Sequence, residues 1–196
     1  MGSRTSLTIR DAEMADARLI KEILVRTRSM PSADLTVKDI RASIKRAAED
    51  DEMRILVGTV ADEVIGMVHL RCIPVGPFTD DKAVLTSFLL VHPEHRRHGY
   101  AHHLFSAAVA WAEEQDIQQV NGVAHSTVRE ANRFYARLGM SAAASLRSAQ
   151  TGALRARLLA ERATRETGAN RKVRATLAQR RNLRRRQQGT SGPAIS

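Results

Sequence analysis

The chain has 196 residues, 43% of them hydrophobic, which is enough for one substantial core but hardly for two full domains. No apolar run approaches the length of a membrane span, and the first residues lack the pattern of a secretory signal, so we expect a cytoplasmic protein. The single cysteine, Cys72, excludes an intrachain disulfide and a thiolate zinc cluster, and we expect it to be a buried thiol.

The net charge of +10 is concentrated towards the C-terminus. Residues 1–146 carry 18 Lys and Arg against 19 Asp and Glu, whereas residues 147–196 carry 13 against 2. The charge therefore separates a nearly neutral region from a strongly basic one. We predict a folded domain over residues 1–150, a basic helical tail over residues 151–188 and a disordered C-terminus over residues 189–196.

The N-terminal part of the chain predicts a strand followed by two short helices. Residues 6–10 alternate like a short strand, and Asp11 is placed to cap the helix that follows. Apolar side chains then recur at helical spacing between Leu19 and Leu24. The segment from Met30 to Asp34 interrupts this pattern, and a second amphipathic helix is predicted from Val37 to Ala48.

The following residues predict strands and helices around one sheet. Two runs rich in β-branched residues, separated by a short turn, have the pattern of an antiparallel hairpin. The predicted elements are strands at Ile55–Val60, Val64–Leu70 and Ala83–Val91, a helix through Leu104 and Trp111 ending near Gln115, a strand at Gln119–Ala124 and a helix at Arg129–Leu138 closed by Gly139. After it, residues 141–146 predict at most a short or irregular strand. This order predicts an α+β fold around a mixed sheet.

Residues 91–101 connect a predicted strand to a predicted helix and have the composition of a phosphate-binding loop. Pro93 ends the strand, and the backbone N–H groups of residues 97–101 can converge on one anion at the positive end of the helix dipole. Gly99 is small where the backbone must approach the ligand, and the arginines supply positive charge for phosphate oxygens. The predicted cofactor-binding residues here are Val91, Arg96, Arg97, His98, Gly99, Tyr100 and Ala101.

Residues 91–101 resemble the coenzyme A-binding signature V-x-P-x-x-R-x-x-G-x-[GA] of the GNAT superfamily of N-acetyltransferases, in spacing and in strand-to-helix placement. Residues 131–140 resemble a second signature of that superfamily, A-x-x-F-Y-x-x-L-G-[FM]. The resemblance covers about residues 6–146. It implies a GNAT fold, in which a mixed, mostly antiparallel sheet flanked by helices is splayed at the cofactor site, between the strands at residues 83–91 and 119–124. It also implies acetyl-CoA as the acyl donor, with the pantetheine arm in that gap.

Direct transfer from a thioester to an amine requires a polarised carbonyl, a neutral amine and a proton for the departing thiolate. The resemblance implies that the Tyr135 hydroxyl lies near the sulfur and acts as the acid, while Phe134 packs in the core. The alternative is that both rings only pack their helix onto the sheet. Members of the superfamily often carry Asn where this chain has Val128. Asn132, one turn later, either replaces that coenzyme contact or faces solvent.

The general base is less clearly marked, because no Asp or Glu lies between Asp81 and Glu94. His125, just after the last predicted strand, has an imidazole suited to base chemistry and is the second candidate catalytic residue. Asp80 and Asp81 are further candidates that would act through water, and the alternative for all three is ordinary loop polarity. His69, on an alternating strand, either faces the substrate cleft or is a hydrogen-bonded sheet residue.

Five of the seven histidines crowd the predicted phosphate loop and the first turn of its helix. Their spacing shows no closed ligand set, and a metal there would compete with the cofactor, so we expect none. These histidines are His92, His95, His98, His102 and His103.

The basic tail begins with leucines at helical spacing after Thr151, a predicted helix cap. Residues 171–186 then carry a dense set of arginines without interleaved aromatic residues. Such charge attracts phosphate, and we expect contact with RNA, DNA, a ribosome or anionic lipid. The alternative is a solvated helix, and the sequence leaves a homodimer open.

The resemblance therefore implies an N-acetyltransferase that moves an acetyl group from acetyl-CoA to a primary amine of a small molecule or a protein. The acceptor stays open, and its selection is expected from Met30–Asp39, Arg71–Asp81 and the residues after Gly139. The rival is a nucleic-acid or ribosome-associated protein that uses the same fold as a coenzyme A-binding module. The missing acidic base and Val128 favour the rival, whereas the intact phosphate loop and Tyr135 oppose it. A third option combines the two, with the tail bringing the acetyltransferase to a ribosomal or nucleoid protein.

Overall fold

The computed structural model describes residues 7–27, 35–124, 129–144, 146–165, 177 and 179. The strands are β1 (Thr8–Asp11), β2 (Met53–Val60), β3 (Glu63–Pro74), β4 (Lys82–Val91) and β5 (Gln119–Gly122). The helices are α1 (Ala17–Arg26), α2 (Val37–Glu49), α3 (Tyr100–Glu114), α4 (Arg129–Arg137) and α5 (residues 151–165), with 3-10 turns at Met14–Asp16 and Pro93–His95. His125, Val128 and nearly all of the basic segment at residues 171–186 lie outside the described residues.

The five strands form one sheet in the order β1-β2-β3-β4-β5. Neighbouring strands are antiparallel except β4 and β5, which run parallel. A parallel pair needs a crossover between its strands, and α3 supplies it. The predicted α+β fold with a mixed, mostly antiparallel sheet flanked by helices is confirmed.

Each face of the sheet buries its own hydrophobic core. On one face, Val57 and Met67 pack against α1 and α2, whose buried positions recur at helical spacing. On the other face, Val68 and Val84 pack against Leu104 and the following turns of α3. Because side chains alternate along a strand, successive residues of β3 and β4 face opposite sides of the sheet, except where a bulge shifts the alternation.

The segment between β1 and α1 corrects one prediction. Asp11 does not cap a helix; it ends β1, and its carboxylate forms an ion pair with Arg54 of β2 at 2.6 Å. Asp16 is the acid at the start of the helical region, accepting from the Glu13 N–H at 2.7 Å and from Arg10 at 2.6 Å. Burial by itself would raise the pKa of Asp16, but these hydrogen bonds outweigh burial and hold its pKa below the usual value.

Two further sequence predictions are confirmed. Cys72 is a buried free thiol, and burial raises its pKa. Gly139 follows α4 with φ 79°, and its N–H donates to the Ala136 carbonyl at 3.1 Å, which closes the helix in the left-handed conformation that glycine favours. Among the described residues after it, 141–144 and 146–150 form no strand.

The chain divides into two compact units, Met1–Ser141 and Ala142–Ser196. The first unit holds the sheet and α1 to α4, and the second holds α5. Of the helices that the structure describes, none is both long enough and apolar enough to cross a bilayer. The functional boundary predicted at residue 150 stays a prediction.

Candidate active site

Strands β4 and β5 pair over only part of the length of β4. Their parallel ladder ends where Thr86 lies opposite Gly122, and one more bond runs from the Val123 N–H to the Thr86 carbonyl at 2.9 Å. Residues 87–91 of β4 continue with β3 as their only neighbour among the described strands. We call the end of the ladder the fork. Beyond it, one edge of β4 presents backbone groups that an extended ligand can pair with.

A β-bulge follows the fork immediately. The register between β3 and β4 shifts between Met67 and His69, so that Phe88 and Leu89 oppose the single residue Val68. Phe88 has φ 51°, a left-handed conformation that costs a non-glycine residue on the order of 1 kcal/mol or more. A bulge bends its strand and increases its twist. The bend lies at the position where β4 separates from β5.

The loop between β4 and α3 exposes a row of backbone donors. Arg97 and Gly99 both have positive φ, 68° and 81°, and α3 begins directly after Gly99. Within the described part of the chain, the N–H groups of residues 97–101 donate to no protein acceptor. A Cβ added at Gly99 would meet nothing within 4 Å, so the requirement for glycine is conformational and the space is left open. This geometry fits an anion bound by the loop and by the N-terminus of a fifteen-residue helix.

The side chains of this loop have different roles. Arg96 bridges the loop to the strand and to α4, donating to the Val91 carbonyl at 3.4 Å and pairing with Glu130 at 3.2 Å. His98 stacks on Tyr100, with ring centroids 5.5 Å apart. Arg97 has an exposed side chain with no ion pair to a described residue. Its charge is therefore available to a ligand, whereas that of Arg96 is partly satisfied within the protein.

Tyr135 lies at the fork on the face of the sheet covered by α3. The residue is only 8% exposed, and a Cβ placed on Gly122 would lie 2.6 Å from its ring. Burial raises the pKa of Tyr135, and a hydrogen bond with Thr86 opposes that shift without cancelling it. The hydroxyl thus stays protonated well above neutral pH. Phe134 makes edge-to-face contacts with Phe105 at 5.9 Å and is part of the core, as predicted.

Three other residues predicted from the sequence are not seen at the fork. Asn132 is exposed on α4, one turn before Tyr135. Asp81 accepts a hydrogen bond from the Thr79 hydroxyl at 2.7 Å and its carbonyl accepts from the Val75 N–H, so it shapes the turn between β3 and β4. His125 lies outside the described residues.

The crowded histidines do not form a ligand set in the structure. No group of three or more His, Cys, Asp or Glu side chains among the described residues could hold a metal ion. His102 packs edge-on against Phe134 at 4.9 Å, and His92 lies with its ring 5.7 Å from that of His95. These contacts give His92, His95 and His102 packing roles around the loop and the neighbouring helix.

The sequence alone did not single out several residues at the fork. Thr86 is fully buried, donates to the Asn121 carbonyl at 3.1 Å and meets Tyr135. Gly122 is required because the Tyr135 ring fills the place of its side chain. Neither residue carries a local signal, since a threonine and a glycine within short strands are common and their partner lies on a helix further along the chain.

Comparisons with known proteins agree with this geometry. Residues 18–140 match the family described as the acetyltransferase (GNAT) family. By structure, the chain is similar to a transcriptional regulator from Bacillus halodurans C-125, with a TM-score of 0.65 and 22% identity, covering 74% of this chain and 99% of that one. A sequence comparison with curated proteins gave no match.

Other structural neighbours are named as acetyltransferases, and two of them are as follows. A ribosomal-protein-alanine N-acetyltransferase from Brucella melitensis biovar Abortus 2308 has a TM-score of 0.59 and 19% identity, over 74% of this chain and 99% of that one. The aminoglycoside N-acetyltransferase AAC(6')-Iy in complex with CoA has a TM-score of 0.65 and 13% identity, over 77% and 98%. These identities show a shared fold. With the match over residues 18–140, they establish that the chain belongs to the GNAT acetyltransferase family.

Proposed function

We propose that the protein is an N-acetyltransferase that transfers the acetyl group of acetyl-CoA directly to a primary amine. The proposal rests on three features that follow one another along the chain. They are the fork, the edge of β4 at residues 87–91 that pairs with no described strand, and the row of N–H donors at residues 97–101. A ligand with a pyrophosphate at one end and an extended amide-containing arm at the other matches all three in order.

The pyrophosphate binds to the backbone donors of the loop and to the Arg97 side chain. The pantetheine arm pairs with the free edge of β4 in place of a neighbouring strand. This puts the thioester at the fork, beside the Tyr135 hydroxyl. Val91 begins the loop and Asn132 lies one turn from Tyr135, which suits both for contacts with the coenzyme.

The chemistry uses Tyr135 as a proton donor. When the amine attacks the thioester carbon, the C–S bond breaks and the thiolate takes the phenolic proton, while the amine nitrogen loses one proton to a base or to water. A tyrosine whose pKa is raised by burial keeps that proton until the thiolate forms. No metal takes part in this mechanism, and the tyrosine regains its proton from solvent.

The test of this function combines binding with turnover. Titration calorimetry should detect acetyl-CoA binding by the full chain, and CoA release should be followed with a panel of aminoglycosides, polyamines, amino sugars, amino acids and N-terminal peptides. Transfer to at least one amine supports the proposal. Binding without transfer to any amine would instead favour the rival, in which the fold is a coenzyme A-binding module.

We also propose that the protein binds a phosphate-rich partner. The proposal rests on the charge of residues 147–196, which carry 13 Lys and Arg against 2 Asp and Glu. The full chain should retain RNA or DNA at low salt, and affinity should fall steeply as salt rises, because each neutralised phosphate releases counterions. Removal of residues 151–196 should abolish this binding and leave acetyl-CoA binding intact. Equal retention by the two chains would overturn the proposal.

A further inference from the structure

A histidine and a serine form a hydrogen-bonded pair beside the fork. His69 of β3 lies directly opposite Ser87 of β4, and the distance from its Nδ1 to the Ser87 Oγ is 2.9 Å. Ser87 follows Thr86, the last residue of β4 that pairs with β5. The pair therefore stands where the thioester would lie in the proposed function.

This pair faces the side of the sheet opposite to Tyr135. Thr86 and Ser87 are consecutive and precede the bulge, so their side chains point to opposite faces. Thr86 meets Tyr135 on the face that carries α3. His69 lies two residues after Met67 on β3, so both side chains point to the same face, and Met67 packs there against α1 and α2. An acetyl group at the fork would thus have a phenol on one side and an imidazole on the other.

We propose that His69 is the general base of the transfer, accepting the amine proton at Nε2 while Ser87 holds the ring through Nδ1. The assignment rests on the proposed function. As the amine nitrogen bonds to the thioester carbon, its N–H proton passes to His69 and the C–S bond breaks. The thiolate takes its proton from Tyr135 on the other face. The products are the N-acetylated amine and CoA, and solvent returns both side chains to their starting states.

The surroundings of His69 keep its imidazole neutral. Burial lowers the pKa of His69 below the usual histidine value of 6.5, and the positive charge of Arg71 on the same strand lowers it further. Arg71 is itself paired with Asp50 at 3.6 Å. The residues that α1 and α2 bury on this face are uncharged, and so is the register partner in β2, Ile55. The buried helix residues are Ala17, Ile20, Ile23, Leu24, Ile40 and Ile44.

Other groups on this face of β4 cannot act as the base. The side chain at position 85 is leucine, and no Asp or Glu occurs between Asp81 and Glu94. His69 is therefore the titratable side chain that the described structure places at the level of Ser87. His69 is half-buried, so its ring is not sealed from solvent.

The experiment compares the pH dependence of turnover in the wild type and His69→Gln. A base must be unprotonated, so wild-type kcat/KM should fall as the pH drops through the His69 pKa, below 6.5. The substrates are acetyl-CoA and the panel amine that the wild type acetylates fastest. His69→Gln should lower kcat/KM about 100-fold or more and remove this fall at low pH, the acidic limb of the profile. Carbon-13 NMR of the imidazole should show His69 titrating at the pH of the limb.

Two further variants separate catalysis from structure. Ser87→Ala should lower kcat less than His69→Gln, because the imidazole remains while its orientation is lost. His103→Gln, the same change at an exposed position on α3, should leave the profile unchanged. Acetyl-CoA affinity and the unfolding temperature should be near wild type in all three variants.

The outcomes distinguish this inference from the proposed function. If the wild type acetylates an amine and His69→Gln keeps both its rate and its acidic limb, the base assignment is overturned while the proposed function stands. If the wild type acetylates no amine of the panel, the proposed function fails and the assignment of His69 fails with it.

Discussion

The loop at residues 97–101 and the fork around Tyr135 belong to one site but are constructed differently. The loop is contiguous, and its character comes from backbone conformation, with φ of 68° at Arg97 and 81° at Gly99. The fork brings together β3, β4, β5 and α4, and its character comes from side chains such as Tyr135 filling space left by Gly122. A contiguous loop can be altered without disturbing the fold, whereas a change at the fork acts on several elements together.

This difference separates binding from chemistry. Backbone donors at the loop act on the pyrophosphate, which does not change during the reaction, so the loop contributes to coenzyme affinity. The Tyr135 hydroxyl and, by our inference, His69 act on atoms whose bonds change. Loop variants should therefore alter binding, and fork variants should alter rate or stability at nearly constant coenzyme affinity.

The largest effect is expected from Gly99→Glu. The added carboxylate opposes the bound phosphate, and losing about two charge-assisted hydrogen bonds costs about 3–6 kcal/mol, at least about 100-fold in acetyl-CoA affinity. Folding should persist, because a Cβ at this position meets no atom within 4 Å and the cost of φ 81° is about 1–2 kcal/mol. Titration calorimetry measures the acetyl-CoA affinity, and thermal unfolding measures the stability of the fold.

Gly76→Glu is the matched control, since it places the same charge in the turn between β3 and β4, where the nearest atom to a new Cβ is Thr79 Cγ2 at 3.9 Å. It should keep wild-type acetyl-CoA affinity. A folded Gly99→Glu protein with wild-type affinity would mean that the pyrophosphate does not bind at this loop.

A smaller effect, on stability, is expected from Gly122→Ala. Its methyl group would lie 2.6 Å from the Tyr135 ring, and such overpacking costs about 1–3 kcal/mol in the free energy of unfolding. In a Tyr135→Ala background the same change should cost almost nothing, because the clashing ring is absent. Denaturant unfolding of the wild type, the two single variants and the double variant gives the coupling free energy between positions 122 and 135.

Gly58→Ala serves as the control for that cycle. The nearest atom to its new methyl group is the Leu7 Cδ1 at 3.3 Å, at the end of a flexible side chain. We expect a cost below about 1 kcal/mol, unaffected by Tyr135→Ala. Equal costs for Gly122→Ala with and without Tyr135 would contradict the close packing at the fork.

The most local change is Tyr135→Phe, which keeps the ring and removes only the donor. Turnover should fall about tenfold or more, because general acids contribute at least that much to the transition state. Acetyl-CoA affinity should stay nearly constant, since the proton is donated only as the thiolate leaves. Wild-type turnover in this variant would show that another group protonates the thiolate or that it leaves unaided.

Particular residues show which features of the fold and the site could be predicted from the sequence. The strand-to-helix loop with Gly99 was predictable because conformation and composition coincide within a few consecutive residues. The order of strands and helices was predictable from periodicity, and Gly139 from its place after the last helix. The proposed role of Asp11 as a cap was wrong because Arg54, from a strand far along the chain, pairs with it instead.

The sequence by itself determined the local pieces: an α+β order of elements, a phosphate-type loop and a tyrosine in the second signature. Only the tertiary structure decided what these pieces meet. The end of the β4–β5 ladder at Thr86, the bulge at Phe88 and the pairing of His69 with Ser87 depend on strand register. Register follows from the packing of both sheet faces against different helices, and residues far apart in sequence set it together.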